Sequence, residues 1–173
     1  MKHKKIIANI CFPIIALFSM LLGSQLTNVF SFISKPNNII DCQLLIVVML
    51  LGCLYFGYSS YILIIAVIIG MIYDLYFYEL LGIYTICLPL MIVIFNYLRQ
   101  YVRPILFNYF LLFMMCHLWM MYSSYFIQVI FKITNPDILS FIVLYLAPSI
   151  IVNAILDLTV LLYGERYYLN VTK

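Results

Sequence analysis

The sequence predicts an all-α, polytopic membrane protein with about six transmembrane helices, and three observations lead to this prediction. The 173 residues are 67% hydrophobic and only 9% charged, whereas soluble domains contain about 25% charged residues. Several apolar runs reach the roughly 20 residues that a helix needs to cross a bilayer. These runs lack the alternation of polar and apolar residues found in barrel strands, so in lipid they must form helices.

Six apolar runs follow one another in a single membrane domain, 1–173, with short polar breaks between them. The first run is longer than the core of a secretory signal, about 7–15 residues, and lacks an Ala-x-Ala cleavage site, so we expect a retained span. Pro104 suits the first turn of the fifth helix, where its missing N–H costs nothing. The expected spans are approximately 6–33, 39–56, 59–77, 80–97, 104–131 and 138–163.

Basic residues are distributed unequally between the two sides of these spans. With six spans, one side carries seven of the nine lysines and arginines, and the other carries only Lys35 and Lys132. Because basic residues in short loops favour the cytoplasmic side, we expect a multi-pass protein of the inner (plasma) membrane with both termini in the cytoplasm. Asp41, Glu79 and Asp137 are then expected at or near the outer face.

The sequence gives little indication of catalysis or of cofactor and metal binding, and we expect no cofactor. No P-loop, nucleophile elbow or zincin motif occurs. His117 has no partner ligands at suitable spacing, which favours a hydrogen-bonded membrane histidine over a metal or proton-shuttle site. The basic residues are dispersed, so nucleic acid is not an expected partner. Five cysteines lack metal or redox spacing, and most lie in apolar runs as small hydrophobes: Cys11, Cys42, Cys53, Cys87 and Cys116.

A polar stripe marks the sixth span. Ser149, Asn153 and Asp157 are spaced by four residues and therefore share one helix face. A carboxylate inside an apolar span costs about 2.5 kcal/mol or more and usually faces protein or water. Two interpretations are open: the stripe contacts a partner or substrate, or it forms internal hydrogen bonds that fix helix packing.

A second stripe, of small residues, marks the third span. Ala66, Gly70 and Asp74 are also spaced by four residues, and Gly82 follows in the next turn. Small side chains let another helix backbone approach closely, so we predict a helix contact here, either internal or with a partner. The alternative is a carboxylate solvated at the interface. An ion relay would need two carboxylates at one depth, but Asp74 is expected at the outer end and Asp157 near the inner end.

The segment from Gly70 to Gly82, with Gly-x-x-x-Asp-Leu followed by a Leu-Gly turn, resembles the MreD family of rod shape-determining membrane proteins. The chain size, the six spans, and Pro148 followed by Asn153 in the last span also fit this family. The resemblance implies a non-enzymatic subunit of the bacterial cell-wall elongation machinery. Gly70, Asp74 and Gly82 are the family-like positions, and no catalytic residue is carried over.

The family resemblance also implies partners and a rival function. It implies a scaffold that binds the bitopic membrane protein MreC and helps position peptidoglycan synthases, with a class B penicillin-binding protein and RodA nearby. Binding would use lipid-embedded helix faces. The helix arrangement is expected to be similar to that of substrate-binding subunits of energy-coupling factor transporters. A vitamin-binding transport subunit is therefore the alternative, although a vitamin pocket needs several convergent polar groups.

Overall fold

The computed structural model describes the backbone of residues 2–33, 40–57, 59–79, 81–132 and 137–168. Side chains are described for residues 9–32, 40–57, 59–79, 81–132 and 137–163. These residues form six helices and no strand. Four of the helices are long and apolar enough to cross a membrane. The predicted fold class, an all-α membrane protein, is therefore confirmed.

The helices are numbered in chain order. Helix α6 covers residues 138–168 and continues through a π-helical stretch, Phe141–Leu146, and helix α3 ends in another, Asp74–Tyr78. Such stretches widen a helix locally and re-aim the side chains that follow. The other bounds are α1, Lys2–Ile33; α2, Leu44–Phe56; α3, Ser60–Tyr78; α4, Tyr84–Arg99; and α5, Leu106–Ile130.

Helix α2 lies at the centre of the bundle. It contacts each of the five other helices, which surround it so that α1 adjoins α3, α3 adjoins α4, α4 adjoins α5, and α5 adjoins α6. The sequence of α2 is apolar on every side, which is the pattern of a helix buried within protein. Close approach is possible at Gly52, where a β-carbon would overlap the ring of Phe12 in α1.

Helix α2 is too short to cross a bilayer by itself. Its 13 residues extend about 20 Å, whereas the hydrocarbon core is about 30 Å thick. The residues that precede it, 40–43, are not helical and are called the extended segment below. Four residues of non-helical chain can add up to about 14 Å. Within the expected span 39–56, the described residues thus comprise the non-helical residues 40–43 and helix α2, joined at Gln43.

Arg99 secures the other end of α2. Its guanidinium Nη1 donates a hydrogen bond to the carbonyl oxygen of Cys53, 3.1 Å away, in the last turn of α2. The same carbonyl accepts the N–H of Gly57 at 3.1 Å, and a cation is favoured beside the carbonyl groups that end a helix. A basic residue at the end of α4 therefore also stabilises the end of the central helix.

Candidate functional site in two buried polar clusters

The buried polar side chains of the described core fall mainly into two clusters. The first, called the capping cluster, surrounds Asp74 where α3 meets α4. The second, called the polar column, joins residues 41–43 to α5 and α6 through Gln43, His117 and Asp157. Asp74, His117 and Asp157 are each fully buried. Because an isolated charge in an apolar interior is very costly, the hydrogen bonds around these groups decide what they can do.

The Asp74 carboxylate caps the beginning of α4. Its Oδ1 accepts a hydrogen bond from the N–H of Tyr84 at 2.7 Å. Its Oδ2 accepts from the N–H of Gly82 at 2.9 Å and from the N–H and hydroxyl of Thr85 at 3.0 and 2.8 Å. Four donors thus converge on one carboxylate that belongs to the preceding helix.

Asp74 caps α4 because the residue before this helix has no side chain that could do so. The first N–H groups of a helix need acceptors, but the residue before α4 is Ile83, which has no side-chain oxygen. A negative charge at a helix N-terminus also interacts favourably with the helix dipole, and hydrogen bonds to an ionised acceptor are about twice as strong as neutral ones. Asp74 therefore locks the α3–α4 hairpin through backbone groups.

Two glycines make room for this arrangement. A β-carbon on Gly70 would lie 2.8 Å from both the Thr85 Cα and the Tyr84 carbonyl oxygen, so α3 touches the backbone of α4 here. Gly82 has a φ of +124°, a conformation that other residues rarely adopt. Ala66, one turn before Gly70, is fully buried on the same face.

The polar stripe of α6 binds the backbone of the extended segment 40–43. The N–H of Asp41 donates to the Ser149 hydroxyl at 2.8 Å, and the N–H of Gln43 donates to Asn153 Oδ1 at 2.9 Å. The Asn153 amide donates in turn to the Asp41 carbonyl oxygen at 2.8 Å. From α1, Thr27 accepts the N–H of Cys42 at 2.9 Å.

Asn153 acts here as a substitute for a peptide group. Its carboxamide accepts one backbone hydrogen bond and donates another, as a neighbouring strand would. Lipid provides no partner for free N–H and C=O groups, so non-helical backbone at membrane depth must be satisfied by protein or water. The N–H groups of residues 41–43 all find side-chain partners on α1 or α6. The stripe thereby allows the extended segment to enter the bundle.

The side chains of the extended segment continue into the polar column. Tyr145 donates its hydroxyl hydrogen to Asp41 Oδ2 at 2.8 Å, and Gln43 Nε2 donates to the same oxygen at 3.1 Å. Gln43 Oε1 lies 2.9 Å from His117 Nδ1, and His117 Nε2 lies 3.1 Å from Asp157 Oδ1. The column therefore connects Tyr145 near the start of α6 with Asp157 three turns later in the same helix.

The hydrogen-bond directions fix the tautomer of His117. The Gln43 amide nitrogen faces Asp41, so its oxygen faces His117, and an amide oxygen can only accept. His117 Nδ1 must therefore carry a hydrogen. Asp157 Oδ2 is buried with no partner among the described residues. A proton could pass along the column only if the Gln43 amide changed its tautomer. Gln43 therefore interrupts such a path.

The structure brings the predicted stripe residues together with residues that the sequence analysis did not select. Ala66, Gly70, Asp74 and Gly82 lie at the α3–α4 contact, and Ser149, Asn153 and Asp157 face the interior. Gln43 and Thr85 were not recognised, and Asp41 was named only for its position near the outer face. A glutamine inside an apolar run is itself a signal, because it needs a partner in lipid. Among the described residues, no group of three or more His, Cys, Asp or Glu could hold a metal ion.

We expect Gly70→Ala to destabilise the protein by about 1–3 kcal/mol, the usual cost of inserting bulk into a packed contact. Alanine favours helices by up to about 1 kcal/mol over glycine, so a loss of stability would come from the contact with α4. Thermal unfolding in detergent measures the effect, and Ile68→Leu, on the half-exposed side of the same helix, is the control. An unchanged or raised melting temperature would contradict the close contact.

We expect Asn153→Leu to lower stability more than a single lost hydrogen bond would. The substitution nearly preserves volume, but it leaves the Gln43 N–H and the Asp41 carbonyl without partners, and each unsatisfied buried group costs about 1–3 kcal/mol. The control is Thr159→Val in the same helix, where the exposed hydroxyl bonds only to the carbonyl oxygen of Leu156. Equal melting temperatures for the two variants in detergent would show that the extended segment does not depend on Asn153.

One of three comparisons with known proteins finds a match. Residues 4–169 match the family described as rod shape-determining protein MreD. No curated protein and no solved structure matches the chain. The family match includes Gly70, Asp74 and Gly82, which the structure joins in one contact. Since it extends over nearly the whole chain, the chain belongs to the MreD family and has a role in rod shape determination.

Proposed function

We propose that this chain is a non-enzymatic membrane scaffold of the peptidoglycan-elongation machinery. In this proposal it binds an MreC-like bitopic membrane protein and so helps to position peptidoglycan synthases, a class B penicillin-binding protein and RodA among them. The observation that carries the proposal is that the buried polar groups form their hydrogen bonds within the bundle. The polar groups of each cluster bind backbone groups or side chains within the bundle, which leaves the surrounding surface to apolar contacts.

An apolar exterior suits recognition of another transmembrane helix. Helix association in lipid depends on packing and a few polar contacts rather than on removing apolar surface from water. Catalysis, by contrast, needs polar groups that a substrate can reach, and Asp74, His117 and Asp157 are fully buried. We propose that the six stripe residues and Gly82 act through the internal packing of the scaffold and not through direct contact with the partner.

The alternative function, a vitamin-binding transport subunit, receives less support. A cavity lies beside the extended segment and is lined by Gly23, Thr27, Asp41, Tyr73 and Tyr84 among others. Its volume of about 30 Å³ accommodates one or two waters, whereas pockets for small molecules measure about 300–1,000 Å³. Binding of a vitamin at this place would require the surrounding helices to separate.

Both termini and the α4–α5 loop are proposed to be cytoplasmic. Reporter fusions after Lys5, Arg103 and Lys173 should therefore report the cytoplasm, and fusions near Asn37 and Asn135 should report the exterior. The physical reason is the distribution of seven basic residues against two. An alkaline phosphatase and green fluorescent protein pair measures both outcomes, and an exterior signal after Lys173 would contradict an even number of spans.

Co-purification tests the scaffold function. The tagged full chain, extracted in mild detergent, should recover the MreC-family protein from the same genome when the two are co-expressed. A tagged polytopic protein of unrelated family is the control for non-specific recovery. Isothermal titration calorimetry of the purified chain against a panel of water-soluble vitamins tests the alternative. Recovery no better than the control, or tight binding of a vitamin, would overturn the proposal.

A further inference from the structure

An apolar groove lies between α4 and α5 and opens toward lipid. It has a volume of about 280 Å³ and is lined by Met91, Ile94 and Leu98 from α4 and by Met115, Trp119 and Tyr122, among others, from α5. Its rim is accessible from the bilayer, since Met115, Trp119 and Tyr122 are 57%, 42% and 56% exposed. The groove has room for several apolar side chains, and unbranched methionines adapt readily to different shapes.

Two polar groups in the groove lie at an unusual depth. Helix α5 runs from Leu106 to Ile130, so Trp119 is within one residue of its midpoint and Tyr122 lies about 6 Å from the midpoint. Helical side chains lean toward the N-terminus, which brings the Tyr122 ring back toward the middle. Tryptophan and tyrosine normally occupy the membrane interfaces, where water meets their polar atoms.

Neither polar group has a partner within the described part of the chain. The backbone carbonyl of Trp119 accepts from Ser123, but the indole N–H and the Tyr122 hydroxyl make no hydrogen bond to described residues. A donor in hydrocarbon without an acceptor is costly. The groove therefore combines an apolar surface with two hydrogen-bond donors that remain to be satisfied from outside.

We propose that this groove docks a single transmembrane helix of the partner, which presents an oxygen acceptor at mid-depth. An acyl chain would fill the apolar volume but offers no acceptor there, because the ester oxygens of lipids lie at the interface. A helix can offer a Ser, Thr, Asn or Gln oxygen, and such contacts are the polar component of helix recognition in membranes. The inference rests on the proposed function, since it assigns the binding face for the MreC-like protein.

Site-specific photocross-linking in membranes tests the assignment. Benzoylphenylalanine is introduced in the full chain at Met115 or Leu98 in the groove, and at Ile14 in α1 or Leu158 in α6 as exposed positions on other helices. The co-expressed MreC-family protein is the probe, and its recovery with each variant is measured separately by pull-down. We expect cross-links to this protein from the groove positions at several times the yield from the other two.

A second variant tests the donors without changing shape. Tyr122→Phe should weaken recovery of the MreC-family protein about threefold, the effect of one interhelical hydrogen bond in a membrane. The matched control is Tyr55→Phe on α2, which removes an exposed hydroxyl outside the groove and should leave recovery unchanged. Equal recovery for both variants would show that the Tyr122 hydroxyl donates no hydrogen bond to the partner, and so would contradict the proposal.

The outcomes separate the two proposals. Normal pull-down with cross-links to the MreC-family protein only from Ile14 or Leu158 would overturn the groove assignment and leave the scaffold function intact. Cross-links from the groove only to lipid, or only to a second copy of the chain, would likewise overturn the groove assignment and leave the scaffold function intact. Failure of the pull-down itself, with the variants folded as judged by unchanged melting temperature, would overturn the scaffold function and the groove assignment together.

Discussion

The structure depends on one constraint, which is that a backbone outside a helix has no hydrogen-bond partner in lipid. The central helix is short, and the chain reaches it through the extended residues 40–43. The carboxamide of Asn153 accepts the N–H of Gln43 and donates to the carbonyl of Asp41. Without this contact α2 would have to begin nearer the interface or remain too short for the bilayer. The position of the central helix thus follows from a side chain of the last helix.

The same constraint explains the capping cluster. Between α3 and α4 the chain turns through residues with positive φ, Glu79 and Gly82, and the first N–H groups of α4 point to the Asp74 carboxylate. Both clusters place a polar side chain against backbone where regular helical bonding stops. Asp74, Ser149 and Asn153 therefore bind backbone where helical bonding stops inside the bundle, although in sequence they resemble functional stripes.

The sequence predicted the features that depend on local periodicity. The apolar runs indicated the helices, and spacing of four indicated that Ser149, Asn153 and Asp157 share a face. It did not identify their acceptors and donors, because the Asn153 bond to Gln43 joins residues 110 positions apart. The extended segment was also assigned to the second span, since its residues 40–43 continue an apolar run. Which residues of a run are helical depends on tertiary partners that periodicity does not contain.

The anchoring of the extended segment by α6 has a consequence for biogenesis. Residues 41–43 leave the ribosome long before Ser149 and Asn153, so during synthesis the N–H groups of Asp41 and Gln43 lack the partners that they have in the complete bundle. Until the last helix enters the bilayer, residues 41–43 must stay near the water interface or be shielded by the insertion machinery. The central helix therefore reaches its final depth only after synthesis of α6. In a nascent chain halted before that point, α2 would lie nearer the interface than in the complete bundle.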